Sequence, residues 1–430
     1  MATNVTVPSS SAGTRKDGGG GRWLALDLLR FVAVFLMVQG HVFTSLLDPS
    51  YGSERWLRHH NFVHGYTAPM FLFASGLAFG YTTFRGWVAN TTPGDALWKR
   101  FRRYGWLLVI GYVLHMPTLA LTRLVHIDHA TLTTWLQVDV LQHIGVSLAL
   151  LQLLALAVRK ERIFAIAVGV LFVVVVFAAP VVWELDVRAV LPMPIASFIN
   201  DDTGSLFPLV PWAGFTYAGI LVAYAARTVR RPSQELAWPL LALTVALFVF
   251  PIALNRTGFQ PYGAHDFWKT DPYYFFFRLA NVLAVLTAWC FVEKLADARK
   301  WLEEKKEGRR SWIGEVLRTV RVVGAESLLI YVVHLVFLHG SVLSNGLEHA
   351  TGRSLTLGQA SFVAGALFVA MVALAWTWHE WKKGKWRFRV LQWSAISGFA
   401  YLMITSHSEM SARWASKRGP RVRTGDGARE

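Results

Sequence analysis

The chain has 430 residues, of which 54% are hydrophobic and only 16% charged. A soluble domain carries about 25% charged residues, so a water-soluble globular fold is excluded and lipid is the expected solvent. The net charge of +16 does not point to nucleic acid, because Lys and Arg gather in alternate short loops, as the positive-inside rule requires; the single cysteine, Cys290, excludes a disulfide framework or a thiolate metal site.

Residues 1–22 are polar and glycine-rich, which predicts a disordered cytoplasmic tail without a cleavable leader. At about 20 apolar residues per span, spans are expected near 23–47, 66–84, 104–122, 136–158, 163–183, 205–226, 236–255, 273–293, 323–345 and 358–380. A weaker apolar run lies near 388–405, before a disordered basic tail over 406–430. The expected fold is all-α, a polytopic membrane helix bundle with 10–11 transmembrane helices occupying 23–405. Basic clusters such as KRFRR at 99–103, RKER at 159–162 and KKGKWRFR at 382–389 follow even-numbered spans, which puts the N-terminus in the cytoplasm. The charged stretch 294–321 reads as a cytoplasmic helix. No internal repeat is visible, so an inverted-repeat transporter plan gets no support.

The first span, RWLALDLLRFVAVFLMVQGHVFTSLL, carries Asp27, Arg30 and His41. Arg30 and His41, separated by three turns, share one helix face and lie about 16 Å apart along the axis. Asp27 and Arg30 stand at i,i+3. A charge inside a span costs about 2.5–3.5 kcal/mol on insertion scales, so these groups are expected to face protein or water. The expectation is a hydrated passage onto which both Arg30 and His41 look.

In the first outer loop, His59, His60 and His64 are histidine-dense, but adjacent histidines diverge on a helix and no metal site is predicted. In the second span Gly76 and Gly80 favour close helix packing. Farther along come His115, then Asp139 and His143 at i,i+4 in DVLQHIG, a broken start at Pro208 and Pro211, Arg278 after PYYFFF, and Glu326 and His334 in GAESLLIYVVHL. Chain direction gives each a depth, and His41, Asp139, His143, Arg278 and His334 are expected to converge in the outer half. Interhelical hydrogen bonding is the competing use of any one of them.

Taken in order, Arg30-x10-His41 preceded by Asp27, then APMFLFASG, DVLQHIG, FPLVPWAGFTYAG, FFFRLA and ESLLIYVVHL, this pattern resembles the integral membrane acyltransferase superfamily. It is similar in particular to bacterial members related to heparan-α-glucosaminide N-acetyltransferase. The resemblance implies an enzyme of the bacterial cytoplasmic membrane that takes an acyl group, usually acetyl, from cytoplasmic acyl-CoA. The implied acceptor is an extracytoplasmic one, commonly a cell-envelope sugar, with acetyl-CoA a co-substrate rather than a bound cofactor. The lysosomal relative has asparagine at the position of His41 and an active histidine farther on, for which His59 and His60, then His64, are the nearest counterparts here.

Thioester attack needs a deprotonated nucleophile and a stabilised oxyanion. The residues expected to carry this are His41, Arg30, Asp139, His143, Arg278 and His334. Donor binding is expected from Arg30, Ser75 and the basic loop residues Arg100, Arg102 and Arg103, with Asp27, His59, His60, His64 and Glu326 as secondary candidates. His41 is read as general base, and an acetyl-histidine intermediate on it stays equally open. The same intramembrane groups also fit a proton-coupled permease, with Asp139, His143 and His334 as relay.

Overall fold

The computed structural model describes residues 23–259, 261–295, 305–306, 309–310, 312–384 and short pieces between 390 and 403. The two expected tails and part of the weak run near 388–405 lie outside the described residues. The architecture is a bundle of long helices, named here α1 (Leu24–Leu46), α2 (Arg55–His64), α3 (Thr67–Arg85), α4 (Asp95–Leu114), α5 (Val140–Val158) and α6 (Glu161–Phe177). The second half comprises α7 (Leu209–Ala226), α8 (Pro232–Arg256), α9 (Pro272–Leu295), α10 (Trp312–Ala325), α11 (Ser327–His339) and α12 (Leu357–Trp381). Among the described residues the strands are two-residue pairs only.

Each of the ten expected spans is met by a helix, α10 and α11 together filling the ninth. Seven helices are long and apolar enough to cross a membrane, eight if the bent α10–α11 pair is one span. The α4 helix falls outside that set because its first half carries Asp95, Lys99, Arg100, Arg102 and Arg103, and α6 because it is only 17 residues long. The protein is thus an integral, multi-pass helical membrane protein. The stretch 294–321 is not one helix. Lys305–Lys306 pairs antiparallel with Arg309–Arg310 before α10 begins.

The centre is α1, which packs against α3, α9, α10, α11 and α12. Its apolar run supplies the burial, and Asp27 in its first turn suits the positive helix end. The first free N–H groups meet a clasp. Ala25 N–H donates to Glu293 Oε2 at 3.2 Å, Ser233 Oγ–H donates to the same oxygen at 2.5 Å, and Trp23 Nε1–H donates to Ser233 Oγ at 2.7 Å. This buried carboxylate ties the start of α1 to α8 and α9.

Between α3 and α7 the backbones touch. A Cβ on Gly76 would overlap the Thr216 carbonyl, one on Gly219 the Phe73 carbonyl, and one on Gly80 would come within 2.6 Å of Ala223 Cβ. Small residues permit that approach where lipid supplies no hydrophobic drive between helices. The broken start of α7 is present as well. Val210 is non-helical, and Trp183 Nε1–H donates to its carbonyl at 2.8 Å, satisfying a group the break would orphan.

The α10 and α11 axes differ by 72° across Glu326. Gly324 sits on the Asp27 main chain, where a Cβ would meet the carbonyl oxygen at 2.8 Å. Glu326 accepts from His379 at 2.9 Å and from Lys382, pinning the bend to α12. After α11 the chain turns at Gly340 (φ +82°) and runs back across the end of α1. There Asp48 N–H donates to Leu355 O at 3.0 Å and Leu355 N–H to Leu46 O at 2.9 Å.

Candidate active site

Toward the N-terminal half of α1 a cavity of about 480 Å³ opens between α1, α3, α4, α5 and α11. That volume is in the range of small-molecule sites, roughly 300–1,000 Å³. Asp27, Arg30, Ser75, Arg100, Arg103 and Tyr331 are on its wall. Four of the five expected donor-binding residues therefore share one void; Arg102 is not among its lining residues.

Arg100 is braced rather than loose. Its guanidinium donates to Gln152 Oε1 at 3.1 Å, Thr82 Oγ1 at 2.9 Å and Thr83 Oγ1 at 2.8 Å, all neutral acceptors. Its charge is left uncompensated by these bonds, and with Arg30 and Arg103 it makes the void electropositive, a field that draws in an anionic ligand. Ser75 Oγ–H is committed to Leu72 O at 2.7 Å.

Farther along α1, His41 meets α11. His41 Nδ1 and His334 Nε2 are 2.8 Å apart, and His334 Nδ1 lies 2.7 Å from Ile330 O. A carbonyl only accepts, so His334 carries its proton on Nδ1 and presents Nε2 as acceptor. His41 Nδ1–H then donates to it, and the basic lone pair of neutral His41 falls on Nε2. The pair has the wiring of an oriented general base: one imidazole holds the tautomer of another. His334 is fully buried and belongs to the same helix as Tyr331, whose ring meets it edge-on at 6.0 Å.

The expected open passage from Arg30 to His41 is not what the cavity shows. Arg30 lines it and His41 does not; Tyr331, on its wall, meets His334, which in turn bonds His41.

Of the five residues expected to converge, His41 and His334 make a direct side-chain contact through their hydrogen bond, and the others have partners of their own. Asp139 lies 3.6 Å from His115 and caps α5 through Val140 N–H at 2.7 Å. His143 Nδ1–H donates to Phe207 O at 2.9 Å, in the approach to α7. The Arg278 guanidinium lies over the Tyr274 ring at 4.3 Å and near Trp212 at 5.4 Å. Chain direction assigns a residue its depth but says nothing about the side of the bundle it faces.

The order of the loop histidines is also inverted. His64 is the one beside His41, with ring centroids 5.7 Å apart, and His60 stacks on His64 at 6.2 Å. His59 instead bonds Arg55 O within its own helix at 2.8 Å. A further imidazole, His339, comes to 6.2 Å from His41 and pairs with Glu348 at 2.8 Å. Its only signal in the sequence is a histidine just before a helix-ending glycine. Glu326 is used at the α10–α11 bend, and Asp27 is buried on the cavity wall.

A family model described as heparan-alpha-glucosaminide N-acetyltransferase, catalytic, matches residues 22–261. That span holds Arg30, His41, Ser75 and Arg100, and ends before α9 and α11. No curated protein matches the chain.

Proposed function

From the premise that this chain belongs to the heparan-alpha-glucosaminide N-acetyltransferase catalytic family, we propose that it moves an acetyl group from acetyl-CoA to a cell-envelope sugar outside a bacterial cytoplasmic membrane. The donor enters from the cytoplasm, on the side of the N-terminus. The observation that carries this reading is the electropositive cavity of about 480 Å³, whose wall residue Tyr331 meets His334 of the His41–His334 pair.

In this reading Arg30 and Arg103 hold the anionic parts of the donor, and Arg100 contributes field from its braced position. His41 Nε2 takes the proton of the attacking hydroxyl or amine as the new bond to the acetyl carbon forms. The carbon–sulfur bond then breaks, and the same proton passes to the departing thiolate. His334 Nε2 accepts throughout from His41 Nδ1–H, steadying the imidazolium. Tyr331 must swing aside for donor and base to meet.

The test uses purified full-length protein, acetyl-CoA and a thiol reagent that reads CoA release. Acetyl-CoA-dependent release that falls about 10²–10⁴-fold in His41→Ala, with Arg30→Met raising the KM for acetyl-CoA, supports the reading. Proton-coupled solute uptake in vesicles without CoA release refutes it in favour of a permease.

A further inference from the structure

Along α1 the histidines stand between two voids. The large one adjoins Asp27 and Arg30. A second, of about 140 Å³, lies just past His41 at the other end of the helix, walled by Phe43, Thr44, Asp48, Leu57, Asn61 and Arg353. Thr44 is three residues beyond His41, hence on a neighbouring part of the same face. From the α2 side a chain of contacts leads back from the cleft. Asn61 Oδ1 lies 3.2 Å from His60 Nδ1, His60 stacks on His64, and His64 meets His41 edge-on. Arg353 is brought there by the main-chain bonds that fasten Leu355 to Leu46 and Asp48.

The cleft wall is chemically mixed. It offers one carboxylate, one guanidinium, one carboxamide and one hydroxyl over the apolar floor of Phe43 and Leu57. Among the described residues neither Asp48 nor Arg353 enters an ion pair, although they stand on the same cleft. The side-chain and main-chain hydrogen bonds of Ser50 hold the Asp48 carboxyl below the usual carboxylate range, so it is an anion at neutral pH. Opposite charges of equal number suit a ligand with little net charge and many hydroxyls, for which carboxylate accepts and guanidinium and amide donate. A void this small, under the roughly 300 Å³ of a site that encloses a whole ligand, takes a single ring or end group. A long apolar chain would cover the Arg353 guanidinium without giving it a partner.

We propose that this cleft at Thr44, Asp48, Asn61 and Arg353 is the acceptor site, seating one hydroxyl-bearing sugar ring beside His41. The proposal rests on the acetyltransferase reading above and gives that reading its acceptor side. Donor and acceptor then approach the histidines from opposite ends of one helix.

The test is made on full-length protein in detergent, with methyl glucoside and methyl glucosaminide as probes. Asn61→Ala and Arg353→Gln are expected to raise the acceptor KM by about 5–10-fold or more, the size of one or two lost hydrogen bonds. The loss falls on acceptor KM and not on kcat or on the KM for acetyl-CoA, and Arg353→Lys recovers part of it. An acceptor KM within twofold of wild type in both variants, or a loss carried by the KM for acetyl-CoA, overturns the proposal. If the wild-type protein releases no CoA with either probe, the acetyltransferase reading fails on its own, and the cleft is then judged by saturation-transfer NMR. A sugar signal that is present with wild type and vanishes in Arg353→Gln upholds the cleft as a sugar site. A signal that persists in the variant, or is absent from the wild type, rejects it.

Discussion

Replacing His334 by Phe removes the acceptor for His41 Nδ1–H while roughly preserving the volume of a fully buried side chain. Two consequences can be sized. The hydrogen bond at 2.8 Å becomes one to a charged donor when His41 takes a proton, and such bonds contribute about 1.5–3 kcal/mol. At 1.36 kcal/mol per tenfold, losing it from the transition state slows the reaction by about 10–150-fold. Loss of tautomer and ring-flip control adds a factor of a few at most, since one of about four arrangements stays productive. His41→Ala, which deletes the proposed base, is expected to lose about 10²–10⁴-fold. The assay is CoA release at saturating acetyl-CoA and acceptor. His334→Gln, which restores an acceptor, is expected to recover most of the loss, and His41→Ala/His334→Phe to be no slower than His41→Ala alone, because the two act as one unit. A His334→Phe rate within twofold of wild type refutes the reasoning, as does a double variant in which the two losses multiply.

Gly76→Val drives side-chain atoms into the Thr216 backbone; the overpacking costs at least about 1–3 kcal/mol, and a lowered unfolding midpoint in detergent checks it. Glu293→Gln keeps the shape of the clasp but removes the charge that Ser233 and Ala25 bond to. It is expected to destabilise the protein by about 1.5–3 kcal/mol, read by denaturant unfolding, with a smaller effect for Trp23→Phe. His265, in the loop before α9, titrates above its ordinary value near 6.5: burial lowers it, but hydrogen bonds to Gly263 and Asp271 and the charges of Asp271 and Asp266 outweigh that. A raised folded-state value means the contact stabilises fully below pH 6.5 and is lost as pH climbs through the folded value. An NMR titration of the His265 ring should therefore show a midpoint above 6.5, returning toward it in Asp271→Asn.

Helix positions are legible in the sequence because a span must satisfy its backbone internally and so shows as a long apolar run. The Arg30–His41 face is legible for the same reason, since helical geometry inside one element needs no partner. Partnerships between elements are not. His41 and His334 are 293 residues apart in the chain, and nothing local distinguishes His334 from His143, which spends itself on a loop carbonyl. Glu293 gives no local sign of its role because it sits at the edge of a charged stretch and reads as solvated, whereas in the fold it is buried under Trp23 and Ser233. His339 is equally silent, because its neighbour across space, Glu348, lies beyond a turn whose course depends on Gly340. The α10–α11 bend is unmarked by proline; it follows from Gly324 pressing on α1 and from Glu326 reaching α12.

The return of the chain across the end of α1 is held by Asp48 and Leu355 through peptide groups, which every amino acid but proline possesses in full. The seam therefore tolerates replacement of most side chains along 340–356 without coming undone, the glycines at 340, 346 and 352 excepted. Variation at the other positions is free to reshape that surface while His41 and His334, on α1 and α11, stay as they are.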